Sequence, residues 1–323
     1  MRLDQESGTV MPGTRADLLV VDDDPSSPQA TVDPGGTPHL DPRGTPEEDR
    51  AGACVNAPRR KSRRHASTEI PEKSSASVRR STEERKEMGY EIGTLALGPV
   101  FALQGRYVRR TTPRLPEASG DREGTRGEGR PLRLLLLGDS AAAGVGAGTQ
   151  EEALSGRLVT ELANTFRVSW MLIARAGATT SGTSRHLSRR PSETFDVAVV
   201  SLGGNDVLAR RPMSQWLTDL DLLADSLRAR FGVRHLLFSG IPPMHLFPGF
   251  PQPLRWYLGA TARRFDDALA RWSAGRPDCE HVPLELKDGA GLLAPDGMHP
   301  GPLLYERWGA LLAPRIRARY ARP

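Results

Sequence analysis

The chain has 323 residues and a formal net charge of +5, with 44 Lys and Arg against 39 Asp and Glu. The charge is unevenly spread: residues 1–50 are acidic, 59–64 read RRKSRR, and the C-terminal end is mildly basic. The basic run has no interleaved aromatic residues, so it is read as a solvated segment and not as a nucleic-acid site. Two cysteines, Cys54 and Cys279, lie far apart and form no CxxC pair. That excludes a disulfide framework and a cysteine-based metal site, and it suits a reducing compartment.

Residues 1–87 are rich in Pro, Gly, Ser, Thr and charge. Such a composition buries too little apolar surface to offset its ordering entropy, and it predicts disorder. Met88 opens a more ordered stretch and is expected to be the native start, which would make 1–87 a read-through. The N-terminus shows no apolar core of a secretory signal, and the expected location is cytoplasmic. The stretch IGTLALGPVFAL (92–103) is too short to span a bilayer and is interrupted by two Gly and a Pro. Just ahead of the basic GRYVRR, it has two readings, a packing segment and a membrane-surface anchor, of which the first is preferred. Residues 88–131 form an N-terminal extension, and 113–131 read as a linker.

From 132 the texture changes. LRLLLLG (132–138) is a continuous apolar run, as expected of a strand covered on both faces. Residues 151–166 have apolar positions at helical spacing. VSWMLIARAG (168–177) reads as a strand followed by a Thr- and Ser-rich turn. DVAVVSLGGND (196–206) is another buried strand ending in glycines. A helix (214–231), a fourth strand (233–240), a helix (254–275), a short fifth strand (280–286) and a last helix (302–320) follow. Strands alternating with helices predict an α/β domain over 132–323, with a parallel sheet covered by helices on both faces. In such a sheet the working site lies beyond the C-terminal ends of the strands.

The strand ends carry the chemistry. The first ends in Gly138-Asp139-Ser140, the second at Gly177, the third in Gly203-Gly204-Asn205-Asp206, and the loop after the fifth holds Asp296-Gly297-Met298-His299. The glycines after Ser140 do not make a phosphate cradle, because no lysine follows them and their spacing of two misses the dinucleotide pattern. A nucleophile reading fits better. A serine hydroxyl needs a base, for which His299 is the candidate, and the base needs an orienter, which Asp296 can supply. The Ser140 N–H, the Gly177 N–H and the Asn205 amide are available as oxyanion donors. His245 is a poorer base because its loop lacks a spaced carboxylate, and His281 reads as structural. Asp139 and Asp206 read as turn or cap acceptors.

GDS at 138–140, Gly177, GGND at 203–206 and DGMH at 296–299 match, in order, the four blocks of the SGNH (GDSL-type) hydrolases, which the chain resembles over about 132–320. The resemblance implies a flavodoxin-like three-layer α/β/α sandwich with a central five-stranded parallel sheet. It implies a serine esterase or lipase with Ser140 as nucleophile, His299 as base and Asp296 as its partner. Ser140, Gly177 and Asn205 would form the oxyanion hole, and no metal or organic cofactor is required. The first block continues as GDSAAAG where many members carry a longer GDSLT-like pattern, which loosens the substrate but not the chemistry.

The loop IPPMHLFPGFPQPLRW (241–256) is expected to overhang the site, with Met244, Phe247 and Phe250 as a wall for an acyl chain or as simple packing. The expected substrate is a small carboxylic ester with a short acyl chain, since no large lid insertion is visible. Lysophospholipase, thioesterase and carbohydrate deacetylase activities remain open on the same residues, as does a silent scaffold protein. Oligomeric state is not legible.

Overall fold

The computed structural model describes residues 96–284, 286 and 289–320. The chain divides into two units; the one formed by Asp24–Ile92 lies outside the described residues, and the fold is that of the other. The expectations about 1–87 and about Met88 therefore fall outside the described residues.

The sheet is built on the apolar runs. Strand β2 (Arg130–Gly138) carries Leu132 and Leu134–Leu137, all essentially without exposure. Strands β4 (Val197–Ser201) and β5 (His235–Ser239) are buried at every position. Continuous apolar sequence is what a strand covered on both faces requires. Strands β3 (Phe166–Ala174) and β6 (Cys279–Val282) complete a parallel set, and a short β1 (Glu123–Arg126) adds to the edge. The spatial order is β1-β3-β2-β4-β5-β6, with β1 antiparallel to β3 and every other pairing parallel. Among the parallel strands this is the flavodoxin-like order 2-1-3-4-5, whose reversal lies between β2 and β4. Gly138 pairs with Ala174 on one side and Ser201 on the other, so the C-terminal ends of three strands are level.

Helices cover both faces. Leu132, Leu134 and Leu136 share one core with Leu154, Leu158 and Leu162 of α2 (Leu154–Ala163) and with Tyr305, Trp308, Leu312 and Ile316 of α7 (Pro302–Tyr320). Leu135 and Leu137 alternate to the other face. There α3 (Thr180–Ser188), α5 (Met213–Phe231) and α6 (Leu254–Ala274) form the second helical layer. Trp216 of α5 lies 4.6 Å from Phe265 of α6, and Phe238 of β5 meets Trp272 of α6 edge-on at 5.1 Å. The short α4 (Gly204–Leu208) starts immediately beyond β4.

Three elements differ from the sequence-based expectation. The expected linker 113–131 contains β1, all of whose residues are exposed, so no apolar alternation marks it. The Thr- and Ser-rich turn after β3 continues into α3, whose first turn is capped by the Thr179 hydroxyl accepting the Gly182 N–H at 3.1 Å. The apolar stretch ending at 103 runs into helix α1 (Gly98–Thr111), where the proline falls in the first turn and is tolerated. Phe101 of α1 stacks on Tyr257 at 4.7 Å. The Gln104 amide donates to the Gln252 carbonyl at 2.6 Å and accepts the Leu254 N–H at 3.0 Å.

Candidate active site

Ser140 sits two residues beyond the last pair of β2. The chain can turn there because Gly138 has no Cβ; one would stand 2.4 Å from Ala142 Cβ and 2.6 Å from the Ser201 carbonyl. Asp139, buried beside the serine, accepts the Ala141 N–H at 3.0 Å and so closes the turn. The small residues that follow do more than turn the chain. At Gly146, whose φ is +97°, a Cβ would lie 2.3 Å from the Pro300 carbonyl and 2.8 Å from Ala294 Cβ. That glycine lets the loop after β2 press directly against the loop holding the histidine.

The histidine loop is a self-bonded turn. The Ala294 N–H donates to the His299 carbonyl at 2.8 Å and the Gly301 N–H to the Leu292 carbonyl at 2.8 Å. Asp296 Oδ1 accepts the Met298 and His299 N–H groups, each at 3.0 Å. Its Oδ2 meets His299 Nδ1 at 2.5 Å, and His299 Nε2 lies 2.8 Å from Ser140 Oγ. Ser140, His299 and Asp296 thus form one continuous hydrogen-bonded line. Burial alone would raise the Asp296 carboxyl, but the His299 side chain and the two backbone donors outweigh it and hold the group below its ordinary range. The carboxylate is therefore kept anionic, as an orienter of a neutral or charged imidazole must be.

The donors expected beside the serine come from β3 and β4. Gly177 adopts φ +80°, a left-handed conformation that favours glycine. Asn205 opens α4; its amide nitrogen donates to the Ala178 carbonyl at 3.0 Å and faces Asp139 Oδ2 at 3.4 Å. Asp206, buried next to it, accepts the Thr180 N–H at 3.0 Å and the Thr180 hydroxyl at 2.9 Å, while the Trp216 indole donates to that hydroxyl at 3.1 Å. The loop carrying Gly177 is thereby tied to the helix carrying Asn205. Gly203 has φ +108°, and a Cβ there would meet Ile241 Cδ1 at 2.4 Å.

Ser140, Gly177, Asn205, Asp296 and His299 all line one cavity of about 530 Å³. Met244, Phe247 and Phe250 line it as well, together with Leu284, Leu304 and Leu311, so its walls are largely apolar. His245 is exposed in a short turn and does not reach the cavity. His281 is bonded to Asp266 at 2.8 Å, and that carboxylate also accepts the Ile241 N–H at 2.8 Å, which anchors the loop after β5. Among the described residues no group of three His, Cys, Asp or Glu is placed to hold a metal ion.

Two features escaped the sequence reading. Burial pushes the Asp139 carboxyl up to about 6, against the opposing pull of the Ala141 N–H and of His299. Tyr305, fully buried in α7, donates its hydroxyl to the Val145 carbonyl at 2.7 Å and so holds the loop after β2 from behind. Its place in a helix of apolar spacing marks it as core; no sequence signal discloses the bond.

Similar solved structures include an extracellular lipase from Streptomyces rimosus (20% identity, covering 57% of this chain and 99% of that one, TM-score 0.45). A second is Est24, a carbohydrate acetylesterase from Sinorhizobium meliloti (16% identity, 58% and 100%, TM-score 0.46). A third is the esterase EstA from Pseudoalteromonas sp. (20% identity, 59% and 99%, TM-score 0.45). No curated protein matches the chain. The profile of the GDSL-like Lipase/Acylhydrolase family matches residues 136–307, from the core of β2 into α7, and the chain belongs to that family of hydrolases.

Proposed function

We propose that the protein is a serine-dependent hydrolase of carboxylic esters. The observation that carries this reading is the line from Ser140 Oγ through the His299 ring to Asp296, at 2.8 and 2.5 Å, inside an apolar cavity. In the proposed reaction His299 Nε2 takes the Ser140 proton as Oγ attacks the ester carbonyl. The tetrahedral oxyanion receives N–H groups from Ser140, Gly177 and the Asn205 side chain. His299 returns the proton to the departing alcohol, which leaves an acyl-enzyme. It then takes a proton from water, whose oxygen attacks the acyl carbon; the bond from that carbon to Ser140 Oγ breaks, His299 returns the proton to Oγ, and the acid is released. Asp296 keeps the imidazole in the right tautomer and stabilises its charged form.

The acyl group would lie between Met244, Phe247 and Phe250. A cavity of about 530 Å³ falls within the roughly 300–1,000 Å³ typical of sites that enclose a whole small ligand. It exceeds what an acetyl group fills, so we extend the expected short chain to medium length. Hydrolysis of p-nitrophenyl esters from acetyl to dodecanoyl tests both parts. Activity lost in Ser140→Ala, with a preference above butyryl in the wild type, is expected. Equal rates in the two proteins would end the reading, and a strict acetyl preference would end the chain-length part.

A further inference from the structure

Helix α1 has two apolar faces, of which one is satisfied. Phe101, Gly105 and Val108 are buried against the body of the domain. On the outer side Val100, Leu103 and Tyr107 are 38%, 70% and 60% exposed. Their spacing of three and four residues puts them in a single stripe. Arg106 and Arg110 are exposed beside that stripe, and GPVFALQGRYVRRT contains no acidic residue. Scattered exposed apolar side chains are ordinary on a protein surface. An ordered stripe flanked by arginines is not.

The same helix leads into the cavity. Val108, Arg109 and Thr112 are part of its wall, as are Arg114 just beyond the helix and Arg307 and Leu311 of α7. Leu303 and Leu311 of α7 are themselves 50% and 37% exposed. Among the described residues, every charged side chain of the cavity wall other than Asp139, Asp296 and His299 is an arginine.

We infer that α1 docks the protein on the surface of an anionic lipid bilayer. Leu103 and Tyr107 enter the boundary between headgroups and acyl chains, the depth at which amphipathic side chains of this kind settle. Arg106 and Arg110 lie along the same boundary with their stems in apolar surroundings and their guanidinium groups among the phosphates. Each such cation strengthens binding to an anionic surface by about fivefold. A second copy of the chain suits this face less well, because a self-complementary contact would bring together two surfaces that carry arginines and no acidic residue. The cavity wall takes the opposite side of α1, at Val108, Arg109 and Thr112, so the helix stands between that wall and the lipid. This inference concerns binding alone and stands apart from the proposed role of Ser140.

Co-sedimentation of the full chain with vesicles tests it, comparing phosphatidylcholine alone with a mixture containing about a third phosphatidylglycerol. Binding is expected to the mixed vesicles, weakened by added salt. Leu103→Glu/Tyr107→Glu and, independently, Arg106→Glu/Arg110→Glu are expected to lower the partition coefficient by about tenfold or more, with the thermal unfolding temperature of each variant near that of the wild type. Equal binding to both vesicle types would overturn the inference. So would wild-type binding by both variants, which would move the contact to the basic run 59–64. A dimer in sedimentation velocity that the variants dissociate, without lipid binding by any form, would replace the bilayer with a second copy.

Discussion

The two halves of the site are held in different ways. Ser140 and Asn205 follow directly from β2 and β4, central strands buried on both faces, and their positions are fixed by the packing of Leu134–Leu137 and Val197–Val200. Asp296 and His299 belong to a loop between β6 and α7, whose described residues bury only Leu292 and Ala294 as apolar anchors. It is fixed by backbone hydrogen bonds within the turn and by the pressure of Gly146 against Pro300. Side chains anchored by the sheet move only if the core moves. Those on the loop depend on a handful of polar contacts, each worth on the order of 1 kcal/mol. The difference implies that the histidine side can be damaged without unfolding the domain, whereas changes on the serine side register in stability.

Substitutions can break this contrast. The largest effect is expected for His299→Ala, with a fall in kcat of about 10⁴-fold or more and little change in thermal unfolding, since the side chain is partly exposed in a surface loop. A collapse in stability would refute the contrast. On the serine side Asp139→Asn should act through stability. The Asp139 carboxyl retains its proton to about pH 6 in the folded protein, against an ordinary value of 3.8. The folded state therefore binds more protons between those values, and stability is lost as pH rises through that window. The loss is complete above about pH 6 and amounts to about 3 kcal/mol. Urea denaturation at pH 4 and pH 7 should show the wild type losing about 2 kcal/mol relative to Asp139→Asn; parallel pH dependences would count against it. Gly146→Ala is expected to be the mildest. Its Cβ would stand 2.3 Å from the Pro300 carbonyl and so displaces the histidine loop by roughly an ångström, which lowers kcat by about 10–100-fold. Tm should also fall, by about 5 °C or more, because φ +97° is strained for alanine. Wild-type kinetics in that variant would show that the two loops are not pressed together.

The same division governs what the sequence discloses. Strands β2, β4 and β5 are legible because burial on both faces demands unbroken apolar runs, and α5, α6 and α7 because their apolar positions repeat at helical spacing. β1 is not legible, since an edge strand exposed at all four positions needs no apolar residue. α3 is not legible either, because TSGTSRHLS is polar and its start depends on a Thr179 cap that also reads as a turn. The residues grouped at the site are legible because the parallel-sheet rule sends Ser140, Gly177, Asn205 and the 296–299 loop to one edge. The charge state of Asp139, the Asp206–Thr180–Trp216 tie and the Tyr305–Val145 bond are not, because each depends on neighbours distant in the chain. Helix α1 is legible as an apolar segment, yet the division of that segment into a packed and an open face emerges only in three dimensions.

The proposed chemistry depends on Ser140 as the residue that attacks. Labelling the full chain with a fluorophosphonate, followed by mass spectrometry of its peptides, tests this most directly. A phosphonyl group is expected on Ser140 in the wild type, with labelling abolished in Ser140→Ala and strongly slowed in His299→Ala. A label on any other residue, or undiminished labelling of Ser140→Ala, would contradict it.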